Sequence, residues 1–469
     1  MSRWLVITLL LIIAVSTGCG VIAQPQATAP LEAAAAPTPT AVVPESAIVE
    51  VRVGDAVMLG EDKGAQQFLQ AQVDLFEKTH PQIKIVLEAW GWKAQEFPAQ
   101  LAAGKVPDVM EVAATEGNLV INNGYAADLT SMMNTWAVSQ DFNELILAPF
   151  TQADRLYGVP RVVYIMGMFY DKKLFKEAGL VDGDGEPTPP ATWAEFSHIA
   201  KVIKEKTGAA GFCMLTQYNQ GGWNFINWGW QAGGEFERQA GQRWQAVFDE
   251  PPIVEAMQFI RALRWEHAVL QDELLLDAGP LFSKIASHQC GMAIVTPGWF
   301  TEITKQGGNS NDLGLTILPA GPAGHANLMG GAYTIINANI PPEAQQAAFQ
   351  WITWRGFSPQ ALESELKSPW GGNRWDFSSR SLMYKPNSPT THQERTLLDK
   401  YHNLPYYRVY VENAGNYARP EPPIATQELY AALDGVIQAI LTDKQADPQT
   451  LLTQAAQEFQ RKYLDTLGK

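Results

Sequence analysis

Aromatic and acidic side chains dominate the residues of this chain that could do chemistry. The 469 residues include 15 Trp, 14 Tyr and 19 Phe, and 49 acidic side chains against 34 basic ones. An indole ring has a flat apolar face that packs equally well in a core or against a ligand. A net charge of −15 makes nucleic acid and anionic lipid headgroups poor partners. We therefore predict no nucleic-acid partner, while the Trp content leaves core packing and ligand binding open.

Sequence motifs of the common enzymes are absent. The chain has no HExxH, no P-loop, no GxSxG and no GxGxxG after a strand, and its seven His lie apart in the sequence. Asp182, Asp184 and Glu186 resemble the start of a calcium loop, but its twelfth position would be Trp193 instead of a bidentate Glu. We therefore predict no catalytic residue, no cofactor and no metal site.

The N-terminal residues predict export from the cytoplasm. The apolar run 4–15 follows Arg3 and is shorter than the ~20 residues that span a bilayer, as in a signal peptide. Ser16-Thr17-Gly18-Cys19 resembles a bacterial lipobox, in which the Cys is lipidated and becomes the mature N-terminus. The alternative is a plain secretory signal with an incidental Cys19. The Ala-, Pro- and Thr-rich residues 20–47 are typical of a flexible tether, which favours a lipid anchor after a 1–19 signal peptide.

The two remaining cysteines, Cys213 and Cys290, leave a disulfide open. Export makes an oxidising compartment possible for a disulfide between them. Both residues flank apolar segments, however, and free Cys is commonly buried. The sequence therefore favours two buried free thiols.

Apolar periodicity from residue 48 onward predicts alternating strands and helices. Alternation at 48–53 and 83–87 predicts two strands, and the apolar stripe at 64–79 predicts a helix between them. This βαβ order favours a parallel sheet and an α/β fold. Short apolar runs predict further strands at 212–215, 292–295 and 333–336. Capping patterns predict helices that begin at Thr192-Trp193, Pro342 and Asp447-Pro448, and the apolar stripe 429–440 predicts one more helix.

Five groups of segments, in this order, resemble the bacterial extracellular solute-binding proteins of family 1, the group of the maltose-binding protein. The segments are 76–85, 101–109, 124–129, then 157–160 with 169–175, and finally 291–299 with 318–322. The resemblance implies a two-lobe periplasmic-binding-protein-like fold of type II, with crossing hinge segments and a ligand cleft that closes between the lobes. Lobe 1 would comprise 48–160 plus 320–366, and lobe 2 would comprise 161–319 plus 367–469. Residues 370–425 match the family poorly.

Family positions also imply which side chains would hold a ligand. Aromatic rings stack on the apolar faces of a sugar, while carboxylates, amides and Arg bind its hydroxyl groups. For each Trp, core packing is the alternative. Trp228 and Trp230 are predicted to lie in the core. The implied ligand-binding residues are Asp62, Trp90, Trp92, Thr115, Glu116, Tyr164, Trp223, Trp299, Trp370 and Arg374.

The resemblance implies a monomeric, lipid-anchored receptor that captures a carbohydrate outside the cytoplasm and delivers it to the permease subunits of an ABC importer. A second interpretation keeps the fold but changes the solute to a polyamine, a peptide or a glycerophosphodiester. A third is a secreted glycoside hydrolase, which would need two carboxyl groups ~5–10 Å apart across the scissile bond.

Overall fold

A computed structural model describes residues 48–93, 96–241, 243–368, 380–401 and 408–467. Cys19, the tether, Trp370 and Arg374 lie outside these ranges. Strands, in chain order, are β1 Val49–Asp55, β2 Ile83–Ala89, β3 Val109–Ala113, β4 Thr151–Gln152, β5 Arg155–Leu156, β6 Val159–Ile165, β7 Gly167–Asp171, β8 Glu237–Ala240, β9 Arg243–Ala246, β10 Met292–Val295, β11 Leu313–Thr316, β12 Asn327–Ile336 and β13 Ala418–Pro420.

Helices cover more of these ranges than strands do. In chain order they are α1 Lys63–Thr79, α2 Phe97–Ala102, α3 Gly117–Asn122, α4 Thr130–Thr135, α5 Glu144–Leu147, α6 Lys172–Ala178, α7 Trp193–Thr207, α8 Gln220–Gln231, α9 Pro251–Trp265, α10 Ala278–Ala286, α11 Trp299–Lys305, α12 Pro342–Phe357, α13 Pro359–Lys367, α14 Pro389–Tyr401, α15 Arg408–Asn413, α16 Thr426–Thr442 and α17 Pro448–Lys462. Within the described ranges, no helix is both long and apolar enough to cross a membrane.

Two sheets form the centres of the two lobes. The larger sheet has the order β13-β12-β3-β1-β2, and β6 also pairs with β12. Its β1 runs parallel to β2 and β3, as the alternating pattern predicts, whereas β12 is antiparallel to β3 and β6. The smaller antiparallel sheet has the order β10-β7-β11. The chain is thus a two-lobe α/β protein, in which β6, β12 and β13 all belong to the larger sheet.

The second lobe buries Trp228 and Trp230, as the sequence predicts. Trp228 is 1% exposed, and Trp230 is 6% exposed. The predicted strand 212–215 is not a regular strand: Phe212 and Cys213 make single bridges to Leu270 and Ala293. Cys213 and Cys290 form a disulfide, with their Cα atoms 5.8 Å apart. The free thiols favoured from the sequence are therefore wrong, because folding brings together two cysteines that lie 77 residues apart.

Residues 380–401 pack on the first lobe. The Tyr384 ring stacks on Phe142 at 5.2 Å, and the Lys385 N–H donates to the Asp141 carbonyl at 2.7 Å. Arg380 and Glu394 form a buried ion pair at 2.9 Å within this segment. The predicted lobe boundaries assign this stretch to the second lobe, and those boundaries stay a prediction. The sequence offered no family match here from which to place it.

Candidate functional site

A row of half-buried aromatic rings lies where β6 meets the second lobe. Tyr164 is the penultimate residue of β6, Trp223 lies in the first turn of α8, and Trp299 begins α11. The rings of Tyr164 and Trp223 meet edge to face at 5.9 Å, and those of Trp223 and Trp299 lie 5.6 Å apart. The buried Phe282, which sequence reasoning missed, packs edge to face against the Trp299 ring, with the ring centroids 5.2 Å apart. Three predicted site residues thus form one aromatic surface.

The start of helix α8, which carries Trp223, is fixed by contacts with helix α16. A Cβ atom on Gly222 would lie 2.2 Å from the Tyr430 carbonyl oxygen, so only glycine permits this approach. Asn219 has φ +67° and its side chain makes no cap. Instead, the Asp434 carboxylate accepts the Asn219 and Gly222 N–H groups at 2.8 and 2.6 Å. Burial raises the pKa of Asp434 to about 6, against the effect of these hydrogen bonds.

The carboxyl group of Glu421 lies beside the aromatic row. Its Oε1 accepts the Tyr430 hydroxyl at 2.8 Å. A Cβ atom on Gly330 of β12 would be 2.3 Å from the Tyr164 hydroxyl and 2.9 Å from Glu421 Oε2, so the glycine leaves room for both groups. Burial raises the pKa of Glu421 to about 7. Burial and then the Glu421 charge raise the pKa of Tyr164 well above its ordinary value.

The first lobe contributes a second carboxyl group. Glu116 ends a short 3-10 turn after β3 and is half-buried. Burial raises its pKa, and the charge of Glu428, in the first turn of α16, raises it further, while the Trp92 indole acts in the opposite direction. Next to it, the buried Thr115 hydroxyl has no hydrogen-bond partner among the residues the structure describes. The negative charge of Glu428 therefore disfavours the ionised form of Glu116.

Two of the predicted site residues, Trp90 and Asp62, make contacts outside this group. Trp90 is 9% exposed, and its Nε1 donates to Gln100 Oε1 at 3.1 Å. The exposed Asp62 caps helix α1, where its Oδ1 accepts two backbone N–H groups at 2.9 and 3.1 Å. Trp370 and Arg374 fall outside the described residues. The candidate site therefore comprises the remaining predicted residues, which are Trp92, Thr115, Glu116, Tyr164, Trp223 and Trp299.

Sequence reasoning missed Glu421, Glu428 and Tyr430. Glu421 lies in the poorly matching stretch, but it stands between Pro420 and Pro422. Proline fixes its own φ and restricts the residue before it to extended backbone, so this pattern indicates an extended, constrained loop. A charged side chain held in such a loop is a signal that could have drawn attention to the position.

The arrangement can bind a polar molecule that also has apolar faces. Half-buried rings offer stacking surfaces, and the carboxyl groups of Glu116 and Glu421 accept hydrogen bonds from hydroxyl or amine groups. Across the ranges described above, no three His, Cys, Asp or Glu side chains gather as metal ligands. The chemistry of the site is therefore that of recognition by stacking and hydrogen bonding.

Comparisons with known sequences point to one family. The family described as bacterial extracellular solute-binding protein matches residues 59–355. A protein of Brucella abortus that is described as a binding protein is 23% identical over 264 residues. That match covers 56% of this chain and 62% of the relative, so the chain spans less than two thirds of the relative's length.

Solved structures share the fold. The cyclic α-maltosyl-1,6-maltose binding protein of Arthrobacter globiformis superposes with a TM-score of 0.67 at 22% identity, covering 87% of this chain and 97% of the other. Maltose-bound MalE3 of T. maritima gives a TM-score of 0.65 at 19% identity, covering 88% and 99% of the two chains. Both are type II two-lobe solute-binding proteins, which confirms the predicted fold class.

Proposed function

Because the chain belongs to the bacterial extracellular solute-binding proteins, we propose that it captures an oligosaccharide outside the cytoplasm and delivers it to the permease subunits of an ABC importer. The aromatic row of Tyr164, Trp223 and Trp299 is the observation that supports a carbohydrate ligand most directly. Of the two solved relatives described above, one is bound to maltose and the other is a cyclic α-maltosyl-1,6-maltose binding protein.

The proposed binding mode uses both lobes. One sugar face stacks on Trp223 and Trp299, while Glu421 and Glu116 accept hydrogen bonds from its hydroxyl edge. Glu116 belongs to the first lobe and the Trp residues to the second, so a ligand that contacts both favours the closed form by its differential affinity. In this proposal the protein binds and releases its ligand unchanged, as a monomer and without a cofactor.

The proposed location is the outer face of the cell membrane, through a lipid on Cys19. The lipobox-like residues 16–19 and the Pro- and Ala-rich residues after them support this proposal. Metabolic palmitate labelling that disappears in Cys19→Ala, together with loss of the mature membrane-bound protein, is the expected result. Labelling that survives the substitution, or a mature wild-type protein found free in the medium, would contradict the anchor.

A thermal-shift screen tests the proposed ligand class. The screen compares neutral oligosaccharides with polyamines, peptides and glycerophosphodiesters, and isothermal titration calorimetry then measures each hit. We expect a saccharide to raise the melting temperature, since a ligand that binds only the native state stabilises it. Chromatography of the same saccharide after prolonged incubation should show no hydrolysis. A melting temperature that responds only to non-saccharide solutes would disprove the proposal.

A further inference from the structure

Two carboxyl groups of the proposed binding site, those of Glu116 and Glu421, have no basic partner among the described residues. Glu421 is hydrogen-bonded by Tyr430, and the groups that act on Glu116 are Glu428 and Trp92. The basic residue closest in sequence to Glu421 is Arg419, but two Glu235 oxygens hold its guanidinium at 2.9 and 3.0 Å. The same guanidinium lies over the Trp230 ring at 4.4 Å. Arg419 therefore pairs with Glu235 and does not serve as a partner for Glu421.

The carboxyl group of Glu421 is placed at one end of the aromatic row, next to Tyr164. Its Oε2 and the Tyr164 hydroxyl both lie within 3 Å of the point where a Cβ atom of Gly330 would stand. The Tyr164 ring in turn contacts Trp223, and Trp223 contacts Trp299. A carboxylate next to aromatic faces is the combination that attracts a cation, through charge and through the ring quadrupoles.

An uncompensated carboxylate in a partly buried position is unfavourable for the protein alone. Burial penalises the charged form, and neighbouring like charges penalise it further, as Glu428 does for Glu116. A neutral sugar would relieve this cost by hydrogen bonds only. A ligand that brings a positive charge relieves it by forming the missing ion pair inside the cleft.

We infer that the ligand is a saccharide that carries a basic amine, bound as its ammonium form by Glu421 at the aromatic row, with Glu116 and Glu428 adding to the negative field. This inference rests on the proposed function and names the substrate class for the same site. It assigns Glu421 as the residue that sets the preference for charge, and the aromatic row as the surface that accepts the sugar ring.

The experiment compares related saccharides that carry a charged amine, a neutral amide or a hydroxyl group at the same position. Isothermal titration calorimetry at pH 6.5 would use β-1,4-linked glucosamine oligosaccharides of two to five units, their N-acetylated forms and the corresponding gluco-oligosaccharides. Kanamycin and its N-acetylated form add a second pair with other amine positions. We expect the amine-bearing member of at least one series to bind ten-fold or more tightly than its neutral counterparts.

Glu421→Gln provides the second arm, since it keeps the size of the side chain and removes its charge. We expect this variant to lose the preference for the amine, so that the amine-bearing and neutral members of a series bind it with equal affinity. Glu250→Gln is the matched control, because Glu250 pairs with Arg238 at 2.8 Å away from the site. It should keep the wild-type preference, and circular dichroism should show both variants folded.

The failures of the two proposals are distinguishable. Binding of neutral saccharides with equal or higher affinity than their amine-bearing counterparts would overturn the inference and leave the carbohydrate function standing. An amine preference that survives in Glu421→Gln would overturn the role assigned to Glu421. Failure of every saccharide to bind would overturn the inference together with the proposed function.

Discussion

The carboxylate of Asp434 caps helix α8, whose N-cap residue, Asn219, lies 215 residues earlier in the chain. Its Oδ1 accepts the Gly222 N–H at 2.6 Å, and its Oδ2 accepts the Asn219 N–H at 2.8 Å. Trp223 directly follows Gly222 and lies in the aromatic row. Helix α16 thus determines the position of Trp223, an aromatic side chain of the proposed site.

Replacement of Asp434 should therefore affect both stability and binding. Asp434→Ala leaves buried backbone N–H groups without an acceptor, which costs about 1–3 kcal/mol each. We expect a loss of about 2–4 kcal/mol in urea-induced unfolding and a weaker saccharide affinity, because Trp223 loses its fixed position. Asp447→Ala, which removes the exposed cap of α17, should reduce stability less and leave affinity unchanged. Equal effects of both variants on affinity would contradict the positioning role.

Truncation of Trp299 distinguishes ligand contact from core packing. We expect Trp299→Ala to weaken saccharide binding about ten- to a hundredfold, or about 1–3 kcal/mol, as for a desolvated aromatic anchor. Its effect on stability should be smaller than the ~3–5 kcal/mol expected for a buried Trp such as Trp228. Calorimetry and thermal melting of Trp299→Ala and Trp228→Ala measure both quantities. Unchanged affinity with a large loss of stability would show that Trp299 is a core residue.

The sequence was informative wherever local rules decide the structure. The capping pattern at Thr192 predicts helix α7, and the Thr192 hydroxyl does accept the Glu195 N–H at 3.2 Å. In the reciprocal hydrogen bond of this capping pattern, the Ala191 N–H donates to Glu195 Oε2 at 2.8 Å in place of the Thr192 N–H. Alternating apolar residues likewise predict β1 and β2, because each strand buries one face.

Long-range pairings could not be derived from the same rules. Cys213 and Cys290 meet because β10 and the segment at Cys213 lie side by side, which no local pattern indicates. The cap on α8 comes from Asp434, whereas the side chain of the N-cap residue Asn219 makes no capping hydrogen bond. Glu421 reaches the site through the pairing of β13 with β12, in a stretch where the family pattern gave no alignment.

The disulfide should stabilise the second lobe. It closes a loop of 77 residues, and cross-links of this kind contribute about 2–4 kcal/mol, in part by restricting the unfolded chain. We expect Cys213→Ala with Cys290→Ala to lower the free energy of unfolding by that amount, and dithiothreitol to have the same effect on the wild type only. Thiol titration of the denatured, unreduced residues 48–469 should find no free thiol. Two reactive thiols per chain would show that the bond does not form.

Stability should fall as the pH rises from about 5 to 9. Burial raises the pKa of Asp434 to about 6, that of Glu421 to about 7 and that of Glu237 to about 8. The native state therefore binds more protons than the unfolded state, whose Asp and Glu titrate near pH 4. This contribution to stability is fully present below about pH 4, where the groups are protonated in both states, and it is lost as the pH rises through the native pKa values of about 6 to 8. Melting temperatures at pH 5.5 and 8.5 measure it.

Two substitutions test which carboxyl groups cause this pH dependence. Glu237→Gln and Glu421→Gln should each make the melting temperature depend less on pH between 6 and 9, because a neutral amide does not titrate. Glu250→Gln is the control, since Arg238 lowers the pKa of Glu250 through a hydrogen bond and keeps it charged throughout this range. A wild-type melting temperature that rises between pH 5.5 and 8.5 would contradict the assignment.

The buried ion pair of Arg380 and Glu394 should keep residues 380–401 folded, and Arg380 also donates to the Gly356 carbonyl oxygen outside this segment at 2.7 Å. Glu394 accepts Arg380 at 3.1 and 2.9 Å and the Tyr384 hydroxyl at 2.7 Å. Removal of one partner of a buried pair leaves an unpaired charge, which costs about 3–5 kcal/mol. We expect Glu394→Ala to lose that much stability and to expose this segment to proteolysis, with Tyr384→Phe losing only about 1–2 kcal/mol. Proteolysis followed by mass spectrometry locates the cut. Wild-type resistance to proteolysis in Glu394→Ala would show that other contacts hold the segment.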